Sequence, residues 1–403
     1  MSEYGLLTPG SFRAAGVVDD RAVADAMVRV ELGWVSALAA VGAIDRDRAE
    51  RIAAAAADWT PDLAVIGAAT EAVGNPVVPM LHQLRERLQP ADAAVVHRGL
   101  TSQDVLDTAL VLLGADCLTR VRADLGAASQ ALARLADAHR ASVMAGRTLT
   151  QYAVPITFGL KAAHWLAGLI EAADDVAATL AGLPVQCGGA AGTLALSGEL
   201  TADPVALAAA FAGELGLVWP GLPWHTRRRA VTRIGDTLVA TCDALGHLGA
   251  DVATLSRPEI GELHEAAAAG RGGSSTMPHK HNPILSVVIR SAAMQSPQLG
   301  AQLHLAAALA VDERPDGAWH SEWPALRRLL ELTVTAASQA AELAAGLEVD
   351  ADRMLQRATD AAADLLAERG DDGAGDPASY LGATDAFIDT VLARLSTGGP
   401  EHA

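Results

Sequence analysis

The segment GGSSTMPHKHN, residues 272–282, gathers two serines, a lysine, two histidines and an asparagine into eleven positions. Its glycines and proline make a poor helix, which predicts a flexible loop between longer elements. Ser274 offers a hydroxyl for proton transfer or attack, Lys280 a cation and Asn282 an amide. Asn282 can also cap a helix opening at Pro283, where unpaired N–H groups and the helix dipole favour an anion. The same residue types also suit local turns and solvated charges, so composition alone leaves the role of this loop open.

Two further polar stretches carry similar potential. In HRGLTSQD, residues 97–104, Thr101 can cap a long helix while Asp104 returns the bond from its third position. Capping leaves His97, Arg98, Ser102 and Gln103 unexplained. A helix N-terminus beside Ser102 and Gln103 suits a carboxylate, and His97 can transfer a proton. In GRTLTQYAVPITFG, residues 146–159, Arg147, Thr148, Thr150 and Gln151 precede Pro155, which can open the next helix. A polar turn between antiparallel helices reads the same stretch equally well. HTRRR at 225–229, with Arg233 following, concentrates positive charge for a polyanion or for an acidic neighbouring surface.

These stretches need rigid elements to hold them. Apolar residues recur every three or four positions over Asp20–Val41, Arg46–Ala57 and Pro76–Leu88, with Asp58–Asn75 less regular between. Longer helices are predicted from Asp104 to about Leu135, over Phe158–Leu180, Arg227–Ser256, Pro283–Leu309 and Trp323–Ala345, with a kink or break at Pro297. Shorter units follow Val349, and an acidic, glycine-rich stretch precedes a last helix at Thr384–Leu395. The expected class is all-α: a small helical domain over 1–99, a central long-helix bundle over 100–346 holding the loop at 272–283, and a small C-terminal helical domain over 347–403. A chain that is 51% hydrophobic yet 3% aromatic suits helices meeting closely through alanine, leucine and valine rather than sheets.

The formal net charge of −18 disfavours nucleic acid and acidic membranes as partners. A small anionic substrate remains open, because a few local cations in a dry cleft outweigh distant charge. Cys117, Cys187 and Cys242 are odd in number without paired spacing, and read as buried small residues. Charges recur too often for a membrane span, and the start of the chain carries no targeting pattern, so a cytoplasmic location is expected. There is no HExxH motif, no phosphate-binding glycine pattern and no nucleophile elbow, so chemistry without cofactor or metal is expected.

At these residues the sequence resembles the fumarase/aspartase superfamily. GSSTMPHKHNP at 273–283 is similar to its signature loop, and the stretches at 97–104 and 146–159 are similar to two more of its active-site regions. GNPVVP at 74–79, LPVQCGGAAGTLA at 183–195 and AWHSEWP at 318–324 extend the likeness over most of the chain. TSQD at 101–104 and those last stretches favour the bacterial 3-carboxy-cis,cis-muconate cycloisomerase branch, with adenylosuccinate lyases as the alternative.

The resemblance implies a fumarase/aspartase-like fold and a homotetramer whose active sites are shared between subunits, acting on a polycarboxylate by intramolecular lactonisation. It implies proton transfer by Ser274 with His97 as the rival donor, and carboxylate or enolate stabilisation by Lys280 and Asn282. Substrate contacts are implied for Arg98, Thr101, Ser102, Gln103, Thr148, Gln151, Ser275 and Met277. Leu149 stands where many of the lyases carry a proton-transferring histidine, a departure the cycloisomerases share. Tyr152 and His281 also replace more usual residues. A helical structural or binding protein on the same scaffold is the non-enzymatic alternative, and the retained Ser274, Lys280 and Asn282 stand against it.

Overall fold

Helices that meet through alanine and glycine approach more closely than helices separated by bulky side chains, and the chain builds on that. The computed structural model describes residues 5–268, 271–273, 277, 280–370 and 375–397. Five short helices come first: α1 (Asp20–Ala40), α2 (Arg46–Ala57), α3 (Leu63–Val73), α4 (Val77–Glu86) and α5 (Pro90–Ala93). α6 (Ser102–Ala138) precedes a hairpin of β1 (Val143–Thr148) and β2 (Gln151–Thr157), then α7 (Phe158–Leu180), α8 (Pro204–Glu214) and α9 (Arg229–Leu255). The rest is β3 (Leu263–Glu265), α10 (Ile284–Ala308), α11 (Gly317–Ala345), β4 (Leu347–Val349), α12 (Ala351–Asp360), α13 (Ala362–Leu366) and α14 (Thr384–Thr397).

The fold is predominantly α-helical, with α6, α7, α9, α10 and α11 forming the long-helix bundle. Two compact units share these helices: residues 1–119, 177–237 and 298–331 in one, and 120–176, 238–297 and 332–403 in the other. In the second unit a Cβ placed on Gly246 of α9 would lie 2.5 Å from Ala293 Cβ of α10, so only glycine permits that helix contact. In the first unit Trp34 of α1 is fully buried, edge-on to Phe211 of α8 at 5.3 Å.

Four sequence expectations change. Asp58–Asn75 contains α3, whose first turn is held by Asp62 accepting from Ala64 N and Val65 N. Pro155 does not open a helix. It pairs with Ala145 inside an antiparallel hairpin, and α7 starts three residues later. That hairpin packs Val143 and Ala145 on Ala358, Ala361 and Leu365, so tertiary burial outweighs the helical composition. Its register shifts at Gly146, where a Cβ would stand 2.5 Å from Val154 O. Of the kink or break expected at Pro297, the break is absent: α10 runs through it, and Ser296 Oγ donates at 3.2 Å to Ala293 O, the carbonyl that proline leaves without its N–H partner. Asn282 does not cap α10, whose first free N–H groups go to Glu265 instead. No helix among the described residues is long and apolar enough to cross a membrane.

Candidate active site

In the first unit the start of α6 organises a buried polar cluster. Asp104 is fully buried and accepts from Thr101 N at 3.0 Å, which is half of the expected capping pair. It also accepts from Gly188 N at 3.0 Å and Gly189 N at 2.9 Å, drawing the GGAAG loop onto the helix. His225 Nε2 donates to Asp104 Oδ1 at 2.8 Å. One turn on, Asp107 receives two bonds from Arg228, at 2.7 and 2.9 Å, and one from Trp319 Nε1 at 2.8 Å.

Arg228 reaches Glu322 from its other side, with Nη2 at 2.6 Å from Oε2. Burial by itself would lower the Arg228 pKa, but Asp107 and Glu322 outweigh it and hold the guanidinium charged. Burial raises the Glu322 carboxyl, only partly offset by Arg228. The HTRRR cluster is therefore structural at its centre: Arg228 is an internal counterion, Arg227 donates to Leu222 O and Pro223 O, and Arg233 to Ala178 O. Arg228 is thereby taken up internally, while Arg227 and Arg233 are exposed and each gives one nitrogen to backbone carbonyls.

Around this support lie the predicted residues of the first unit. His97 has φ +69° and its Nδ1 meets Glu31 Oε1 at 2.7 Å. Glu31 is fully buried, so the pair fixes the imidazole through Nδ1 and leaves Nε2 outside that bond. The carboxylate could have been noticed in the sequence, since Glu31 interrupts the apolar face of α1 between Met27 and Trp34. Gln103 is fully buried, and its Nε2 donates to His225 O at 2.9 Å and Asp107 Oδ2 at 3.1 Å. Its Oε1 accepts from Arg314 at 3.4 Å, which makes it a support rather than an open contact. Thr101 and Ser102 are half-buried, and Arg98 is exposed.

Arg314, like Glu31, is a residue that the sequence patterns did not single out. It lies in the link between α10 and α11 and donates from Nη1 to Thr101 Oγ1 at 2.8 Å. A cation thus sits at the N-terminus of a 37-residue helix, where dipole and charge both favour a carboxylate. The only signal was an arginine in a proline-containing loop, DERPDG, which carries no spacing rule.

The second unit holds the other predicted residues. Arg147 grips the buried Glu262 with Nη2 at 2.7 Å and Nη1 at 3.1 Å, anchoring the hairpin close to its turn. At its tip Leu149 and Thr150 both take left-handed φ values, +48° and +73°, the form demanded by a two-residue hairpin turn. Leu149 is 96% exposed, and Thr148 and Gln151 are exposed beside it.

The signature loop closes at its base, where Asn282 donates to Gly272 O from N at 2.9 Å and from Nδ2 at 3.0 Å. The cap of α10 is instead Glu265 of β3, which accepts from Leu285 N at 3.1 Å and Ser286 N at 2.8 Å. That helix end therefore already holds an anion, and the expected attraction for a substrate carboxylate there is taken up internally. Lys280 is exposed and Met277 is 40% exposed. Ser274 and Ser275 lie outside the described residues.

The sequence profile of a family described as lyase matches residues 19–296. The chain is 46% identical over 362 residues to a nitrosuccinate lyase from Streptomyces davaonensis, covering 87% of this chain and 76% of that protein. It is 38% identical over 353 residues to a 3-carboxy-cis,cis-muconate cycloisomerase from Bradyrhizobium diazoefficiens, covering 87% and 77%. The crystal structure of 3-carboxy-cis,cis-muconate lactonizing enzyme from Pseudomonas putida superposes with a TM-score of 0.83 at 31% identity, covering 94% of this chain and 96% of that one.

Proposed function

Because the chain belongs to the fumarase/aspartase superfamily of lyases, we propose that it catalyses the lactonisation of 3-carboxy-cis,cis-muconate to 4-carboxymuconolactone. The observation that carries this reading is the likeness, along nearly the whole chain, to solved enzymes named for that lactonisation. One carboxylate oxygen of the substrate adds to the conjugated double bond, and the adjacent carbon takes a proton. The substrate brings its own nucleophile, so the protein's task is to fold it, neutralise its other carboxylates and supply the proton.

In this reading Arg314, Thr101 and Ser102 receive a carboxylate at the start of α6, while Thr148, Gln151 and Lys280 hold the remainder. Ser274 or His97 delivers the proton, and the buried Glu31 orients His97 for that task. Homotetramer assembly with shared sites belongs to the same proposal, supported by Ile284, Val287 and Met294, apolar side chains left exposed on α10. So do a cytoplasmic location and the three-part division at residues 99 and 346.

A second reading is favoured by one observation, the 46% identity to the nitrosuccinate lyase against 38% to the cycloisomerase. There a base would remove a C–H proton beside one carboxylate as the C–N bond breaks and nitrite leaves with the electron pair. The experiment is to give purified protein each substrate in parallel, identifying the lactone by NMR and assaying nitrite by colour. Lactone formation at enzymatic rates carries the proposal. Nitrite release without lactone replaces it with the elimination.

Two substitutions probe the binding roles. Arg314→Ala removes a charge-assisted bond to a carboxylate, and KM is expected to rise roughly 10- to 100-fold in steady-state kinetics. Lys280→Met is expected to lower kcat about 100-fold with a smaller change in KM, the signature of a contact that strengthens as charge develops. An unchanged kcat with raised KM would reduce Lys280 to an anchor.

A further inference from the structure

The turn of the β1–β2 hairpin in the second unit is poorly fixed by its own residues. Leu149 and Thr150 both take left-handed backbone, which side chains of their size disfavour, and Thr148 and Gln151 on either side are exposed. Gln151 Nε2 donates to Thr150 Oγ1 at 3.1 Å in the open, a bond that adds little where water competes. The apolar packing of the hairpin lies at its other end, where Val143 and Ala145 meet Ala358 and Leu365. The tip therefore needs a hold from elsewhere.

Arg147 provides it. It pairs with Tyr152 across the hairpin, directly beside the Thr148–Gln151 pair, and its guanidinium lies 5.7 Å from the centre of the Tyr152 ring. Nη1 donates to Ala145 O at 3.2 Å as well as to Glu262 Oε2, and Nη2 donates to Glu262 Oε1. A fork of two bonds fixes orientation as well as distance. Glu262 is itself firmly seated: it is fully buried, its N donates to Leu255 O at 2.9 Å and its O accepts from Asp350 N at 3.1 Å. Arg357 Nε of α12 stands 3.2 Å from Oε1, and the next residue opens β3, which pairs with β4. The carboxylate is the rigid member of the pair, and the hairpin tip is the member held.

We propose that Glu262 is a positioning residue, which through Arg147 sets where Thr148 and Gln151 stand without itself touching the substrate. The assignment rests on the reading that those two side chains hold part of a polycarboxylate. Without the buried charge Arg147 is free to turn toward solvent, and the tip loses the one fixed point beside its substrate contacts.

The test combines hydrogen exchange with calorimetric binding of propane-1,2,3-tricarboxylate, which has neither a diene nor a leaving group. Glu262→Gln keeps the shape and removes the charge. Amide exchange over residues 146–152 is expected to speed up about tenfold while α7 and α9 exchange as in wild type, and Kd is expected to rise about tenfold. In a Thr148→Ala/Gln151→Ala background the same change is expected to alter Kd less than twofold, because the contacts it positions are already gone. Should Glu262→Gln fail to fold, Arg147→Met removes the same bond from its half-buried side and is expected to give the same results. Unchanged hairpin exchange, or a full tenfold loss of affinity in both backgrounds, would overturn the proposal, the latter by showing a general structural role. Wild-type protein that binds no tricarboxylate would sink the substrate reading and the assignment with it; faster hairpin exchange in Glu262→Gln tells that failure from a failure of the ion pair to hold the turn.

Discussion

Replacing Arg228 by leucine is expected to destabilise the protein by roughly 3–5 kcal/mol, the cost of leaving buried charges without their partner. The side chain is wholly enclosed and carries two carboxylates at once, Asp107 at 2.7 Å and Glu322 at 2.6 Å. Leucine fills part of the volume but answers neither charge. The pH dependence distinguishes this cause from simple packing loss. Without the guanidinium that partly offsets its burial, the Glu322 carboxyl would have a folded-state pKa further above its unfolded one. The folded state then binds more protons than the unfolded state, so stability falls as pH rises through that window. The deficit against wild type is therefore expected to be largest near neutral pH and to shrink toward the ordinary carboxylate range. Urea denaturation at several pH values measures it, and a pH-independent loss below about 1 kcal/mol would refute the buried-counterion account.

Replacing Ser274 by alanine is expected to lower kcat about a thousandfold while leaving assembly unchanged, within the range a positioned proton-transfer group contributes. A free serine hydroxyl has an unhelpful acidity, so its effect requires a local field, and Lys280 is the cation of the same loop. His97 is the rival, with Nδ1 held 2.7 Å from Glu31 Oε1. Steady-state turnover with the lactonisation substrate separates the two. A variant at Ser274 retaining more than a tenth of wild-type turnover would move the proton to His97, and His97→Gln would then carry the large loss.

Several features of this protein were determined by sequence alone. The spacing of alanine, leucine and valine marked the long helices to within a few residues, except that α11 starts at Gly317, six residues before the expected Trp323, because a helix repeats a local geometry that every residue on its face reports. The order of three polar stretches pointed to the superfamily and to the loop residues Lys280 and Asn282. What only the tertiary structure decided is which polar groups are already spent. Arg228 looked available to an anion until Asp107 and Glu322 were found beside it. Asn282 looked like the cap of α10 until Glu265, seventeen positions earlier, proved to hold it. Glu31 and Arg314 meet His97 and Thr101 across 66 and 213 positions of chain. Hydrogen bonds and ion pairs act over about 3 Å in space whatever the separation in sequence, so a local pattern identifies who can bond while packing selects who does.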